Sequence, residues 1–165
     1  MKGQTEIIVF VLLFIVGVSL FMSAIIWSRG IVDRNSDVVQ LNSAEVFMKN
    51  LDSKIQSVIS FGGQDTISYN LDAPIEIIGD NIIEIRTPLS VNIPDQWISL
   101  KDGDSVIRET MQRGLFRIQL YYPEGGDYNI ELYTEGARIS TPNQIRIEKS
   151  TSTEPGIIRI KITFE

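Results

Sequence analysis

Ile7 to Trp27 reads IIVFVLLFIVGVSLFMSAIIW, 21 residues without a charge. No other feature constrains the fold as strongly. As a helix the run is roughly 31 Å long, enough to cross the hydrocarbon core of a bilayer. In lipid it must be helical, because every backbone N–H and C=O needs a partner within the segment. Its only small or polar interruptions are Gly17, Ser19, Ser23 and Ala24, and Trp27 and Arg29 follow as an interfacial anchor. A cleaved secretory signal would have a shorter apolar stretch and a small-residue cleavage site, and Ala24-Ile25-Ile26-Trp27 is a poor one. The expectation is a single span, with the N-terminus inside and the bulk of the chain outside.

The rest of the chain has a different character. The 165 residues contain no histidine and no cysteine. That excludes Ser-His-Asp and Cys-His nucleophilic catalysis and zinc sites built from those ligands. Beyond Gly30 there are 13 basic and 20 acidic residues, a net charge of −7, so no nucleic-acid partner is expected. The slightly positive mean hydropathy of +0.06 comes largely from the span.

From Gly30 to about Phe61 the pattern turns amphipathic. Leu41, Met48 and Ile55 recur every seven residues, as do Ala44, Leu51 and Val58, and together they form one helical stripe. Asn42, Glu45, Lys49, Asp52 and Gln56 are expected on the opposite side, with Glu45 and Lys49 as a supporting i,i+4 pair. The stripe suits packing on the domain that follows, or a coiled-coil-like seam toward other copies. Asn35, Ser36 and Asp37 offer a place to kink or recap the helix, and Gly62-Gly63 ends it.

From about Thr66 onward the period falls to two. Phe116 to Tyr122, Tyr128 to Leu132 and Ile158 to Phe164 alternate apolar and polar residues. Gly79-Asp80-Asn81 is expected to join strands 75–78 and 82–87. Pro123 to Asp127 reads as a hairpin turn between neighbouring strands, and Ser150 to Gly156 leads into the last strand. Eight or so short strands suggest an antiparallel sandwich. The predicted class is therefore α+β: a long N-terminal helix, transmembrane and then amphipathic, followed by an antiparallel β-sandwich-like head. The segments are a leader over 1–3, a transmembrane or filament-core helix over 4–29, an amphipathic extension over 30–63 and a β-rich extracytoplasmic head over 64–165.

Catalytic signals are sparse. Asp102-Gly103-Asp104, with Asp95 nearby, lacks the ligand series of a calcium loop and reads as a solvated turn, so no metal or other cofactor is expected. Glu76 and Glu84 are expected to face solvent. Tyr69, Tyr121, Tyr122, Tyr128 and Tyr133 would suit a sugar-binding surface but fit cross-strand packing better. No glycine-rich phosphate loop, paired catalytic carboxylates or serine–lysine site is identifiable, and the chain is expected not to be an enzyme.

The start, Met1-Lys2-Gly3-Gln4-Thr5-Glu6 running straight into the apolar helix, resembles the class III signal sequences of archaeal type IV pilin-like proteins. In that family a short basic leader ends in Gly, and a prepilin peptidase cuts after it. The resemblance implies processing at Lys2, Gly3 and Gln4, with cleavage between Gly3 and Gln4. The family carries a Glu near the fifth mature position that takes part in assembly; here Glu6 is the third. Gly17, Ser19 and Ser23 would permit close helix approach during assembly. The implied protein is a structural subunit of a cell-surface filament, inserted in the membrane before it assembles. Its partners would be lipid, the peptidase, copies of itself or related pilins, and surface-layer protein. The alternative of the same architecture is a non-polymerising anchored sandwich, such as an archaellum stator-like or adhesion module.

Overall fold

The computed structural model describes residues 2–89, 93–125, 128–152 and 154–165, without the side chains of residues 2–6 and 33. It contains one long helix and ten strands. Helix α1 covers Lys2–Phe61. The strands are β1 (Gln64–Ser68), β2 (Ile75–Ile78), β3 (Ile82–Pro88), β4 (Ile98–Lys101), β5 (Val106–Gln112), β6 (Leu115–Tyr121), β7 (Asn129–Tyr133), β8 (Ile139–Ser140), β9 (Gln144–Ser150) and β10 (Ile157–Phe164). The fold is α+β, as the patterning predicts.

The chain divides into two compact units, Met1–Val38 and Val39–Glu165. The first is helical. Asn35, Ser36 and Asp37 do not interrupt the helix. These residues form caps only where the backbone leaves helical geometry, and inside a helix the main-chain ladder already satisfies the same groups.

The second unit holds the rest of α1 and both sheets. One sheet has the order β1-β9-β10-β7 and the other β4-β5-β6-β3-β2-β8. Their inner faces share a single core with the stripe of α1. Ile75, Ile83, Ile85, Ile107, Ile118 and Leu120 come from the larger sheet, and Ile130, Leu132, Ile145, Ile147, Ile160 and Ile162 from the smaller. Such alternation leaves one face of each sheet apolar, and burying those faces together is the main stabilising term.

The hairpin β2–β3 forms across Gly79–Asn81, and β9 pairs antiparallel with β10, as expected. The hairpin expected over Pro123–Asp127 runs onto Gly126 and Asp127, which lie outside the described residues, but its flanking strands do not pair: β6 belongs to the larger sheet and β7 to the smaller, where β7 pairs parallel with β10. A glycine-rich turn between two alternating strands signals a reversal, but it does not say whether the returning strand joins the same sheet or the facing one. Gly62 and Gly63 end α1 with φ of 74° and 83°, and the Gly62 N–H donates to the Val58 carbonyl at 2.9 Å. This left-handed exit suits glycine and turns the chain into β1.

Candidate functional site: the apolar helix and its anchorage

The described apolar side chains from Ile7 to Trp27 are exposed, apart from half-buried Ile25. An all-round apolar helix with no protein cover belongs in an apolar solvent or against other apolar helices. This is the one helix among the described residues long and apolar enough to cross a membrane. Ser19 Oγ donates to the Ile15 carbonyl at 2.8 Å, and Ser23 Oγ to the Ser19 carbonyl at 2.9 Å. Both hydroxyl protons are thus used inside the helix, which lowers the cost of placing them in lipid. A side chain at Gly17 would meet nothing within 4 Å, so its smoothness is not consumed by a contact. Lys2, Gly3, Gln4 and Glu6 are helical in backbone, but their side chains lie outside the described residues, and so do the leader and pairing roles expected there.

The amphipathic stripe is spent inside the second unit. Ala44, Met48, Leu51, Ile55 and Val58 are buried and Leu41 is partly so. Phe47 and Ile59 widen the buried face, and Phe47 meets Tyr69 edge-on at 5.0 Å. The stripe from Ala44 to Val58 therefore has no free surface for a seam toward other copies. Glu45 and Lys49 pair at 3.6 Å, as their spacing predicts.

Asp52 departs from expectation. It is 3% exposed rather than on the solvent side. Its Oδ2 accepts from Lys101 Nζ at 2.5 Å and Ser105 Oγ at 3.0 Å, and its Oδ1 accepts from the Tyr122 hydroxyl at 3.1 Å. Lys101 Nζ also donates to Ser105 Oγ at 2.8 Å. Burial, with the Asp52 carboxylate alongside, pushes the Tyr122 hydroxyl well above its ordinary pKa. The sequence offered one signal. Asp52 lies seven residues before Ile59, on the flank of the stripe that a wider apolar face covers.

This cluster places a serine beside a lysine, which the sequence alone did not bring together. The arrangement suits a structural clamp. Ser105 is 1% exposed and out of reach of a substrate. Lys101 Nζ is spent on the Asp52 carboxylate and on Ser105 Oγ. The clamp fastens α1 to β4 and to the segments after β4 and β6.

A second polar cluster occupies the opposite face of the larger sheet, where Glu84 was expected to be solvated. Glu84 is 0% exposed. It accepts from Arg117 Nη2 at 2.7 Å and Arg117 Nε at 3.1 Å, and also from Arg86 and Gln119. Burial alone would raise its pKa, but these hydrogen bonds, those of Arg117 foremost, outweigh it and hold the carboxyl below the usual range. Glu76 pairs with Arg86 at 2.7 Å. Trp97 covers this face, with Arg108 at 4.7 Å and Arg117 at 5.6 Å from its ring centre.

The tyrosines do not form a common surface: Tyr69 and Tyr122 are buried, and Tyr121 lies beneath Arg108 at 5.3 Å. No group of three or more potential metal-ligating side chains occurs among the described residues. Asp102 accepts from Ser99 Oγ at 2.6 Å and Asp104 is exposed, in keeping with a solvated turn. Compared with known protein families, curated proteins and solved structures, the chain matches none.

Proposed function

We propose that this protein is a pilin-like structural subunit, held in the membrane by the Ile7–Trp27 helix until that helix packs with those of other copies in a surface filament. The observation that carries the reading is the uncovered, uncharged helix on a chain whose other half is a compact α+β unit with a core of its own. A helix apolar on all sides is at home in lipid and in a bundle of like helices, so it can exchange one for the other at small cost. The Lys2-Gly3-Gln4 start adds a cleavage signature at the edge of that helix. The head would be displayed outside and act by assembly and contact rather than by catalysis.

Intact mass of protein extracted from native membranes tests the processing step. Loss of Met1 to Gly3 is expected. Retention of these residues in the fully matured protein, or normal filaments from a Gly3→Val variant, would remove the basis for processing. The second reading, a tethered sandwich that never polymerises, rests on the same span and head and predicts no filament.

A further inference from the structure

We infer that the outer face of the larger sheet carries a binding site for an acidic sugar, of the uronic acid class. This goes beyond the filament reading and does not depend on it. The site is an open cavity of about 710 Å³ beside the Arg113-Gly114 turn, lined by Arg86, Asp95, Gln112, Arg113, Leu115 and Arg117.

Three observations meet there. The first is register. Arg86 on β3 lies directly opposite Arg117 on β6, and Pro88 opposite Leu115 in the next row. Like charges directly opposite repel, so this pairing needs a compensating partner. Glu84 is that partner, and it holds both guanidiniums from beneath while fully buried. Burying a charged carboxylate with its arginines is weak evidence for stability, because well-packed apolar residues often do as well or better. The same network fixes two planar groups on rigid strands, with Arg117 spent on Glu84 and Gln112 and Arg86 on Glu84 and Glu76, so they form a rigid floor beside the turn.

The second observation is Arg113. Its φ is 55°, and it is the only non-glycine residue with positive φ among the described residues. The turn between β5 and β6 has two residues, Arg113 and Gly114, both left-handed, a geometry that favours Asn-Gly or Gly-Gly. Arginine there is strained, and strain of this kind points to a use for the side chain. Arg113 is exposed and makes no hydrogen bond or ion pair among the described residues. Its five donors are unspent.

The third is the composition of the wall. Arg86 and Arg117 are compensated by Glu84 and Glu76, which leaves Arg113 as the unpaired guanidinium among the described lining residues, with Asp95 as the lining carboxylate. The unspent guanidinium fork of Arg113 matches a carboxylate in two-point hydrogen bonding. Asp95, with no hydrogen bond or ion pair among the described residues, offers acceptors for hydroxyl groups, and the Gln112 amide offers a donor, its Oε1 accepting from Arg117 at 3.0 Å. Leu115 supplies apolar surface for a sugar ring. A bare oxyanion would use Arg113 and leave Asp95 as a repulsive neighbour; a sugar acid uses Arg113, Asp95, Gln112 and Leu115 together.

The test is calorimetric titration of the full chain in detergent with trigalacturonate, against maltotriose and sodium sulfate. Trigalacturonate is expected to bind, more weakly as salt rises, and neither control should bind comparably. Arg113→Gly suits the left-handed turn, so it should leave the melting temperature unchanged or raised while weakening trigalacturonate at least tenfold. Asp95→Asn should weaken trigalacturonate without creating sulfate binding. No binding of trigalacturonate, equal binding of sulfate or maltotriose, or unchanged affinity in Arg113→Gly would overturn the proposal.

Discussion

Removing the Asp52 carboxylate should unfasten the head from within, and the cost can be worked from its three partners. In Asp52→Ala, Lys101 is about half exposed and can reach water, while buried Ser105 still accepts from Lys101 but its hydroxyl proton loses its acceptor. Tyr122 is left stranded as well. Its hydroxyl is buried, and an orphaned buried polar group costs about 1–3 kcal/mol. With the lost charge-assisted bonds, the total is about 3 kcal/mol, near the lower end for breaking a buried ion pair. Tyr122→Phe alone should cost about 1 kcal/mol, because Asp52 retains Lys101 and Ser105. In the double variant the Tyr122 hydroxyl is no longer there to be stranded, so the pair should cost less than the sum of the singles by at least 1 kcal/mol. The assay is equilibrium urea unfolding of the full chain in detergent, followed by Trp97 fluorescence on a Trp27→Phe background. Additivity within about 0.5 kcal/mol would refute the clamp, since uncoupled sites behave that way.

Three further outcomes are expected. Glu109 is buried on the core side facing Glu45 and Lys49, and burial, with Glu45 next, raises its pKa. The folded protein therefore loses stability as pH rises from about 4.3 through the folded pKa. Glu109→Gln should stabilise at neutral pH and flatten that part of the thermal-melt profile. Glu84 has the opposite sign. Its contribution is complete above the unfolded pKa of about 4.3 and fades as pH falls toward its lower folded value. Glu84→Gln should cost roughly 2–4 kcal/mol at neutral pH and less in acid, read from the same melts. In the span, Val16→Lys should add about 2.5–3.5 kcal/mol to insertion and shift the protein from the membrane to the soluble fraction on fractionation.

Much of this architecture can be read from periodicity. The span is a matter of length and missing charge. The stripe from Ala44 to Val58 and the strand alternation each report which face is buried. The sequence is silent where burial depends on what lies across the core. Asp52 and Glu109 are acids on faces that neighbouring apolar residues mark as inner. Glu84 sits between isoleucines on a strand covered on both sides, by the core and by the arginines with Trp97. Local pattern takes such residues for solvent-facing ones, because their partners (Lys101, Ser105, Tyr122, Arg117) are 33 to 70 positions away. The passage of the chain from β6 to β7 is hidden for the same reason. A turn signal is local, and the choice of sheet is made by the whole core. At the apolar helix the residue types are legible, and their use depends on what surrounds the helix in the membrane.

Electron microscopy of the native cell surface, with an antibody to the head, separates a filament subunit from a tethered anchor. For a filament subunit, label distributed along filaments is expected. Diffuse label over the cell body, with no labelled filament, would contradict it and leave the tethered sandwich as the reading.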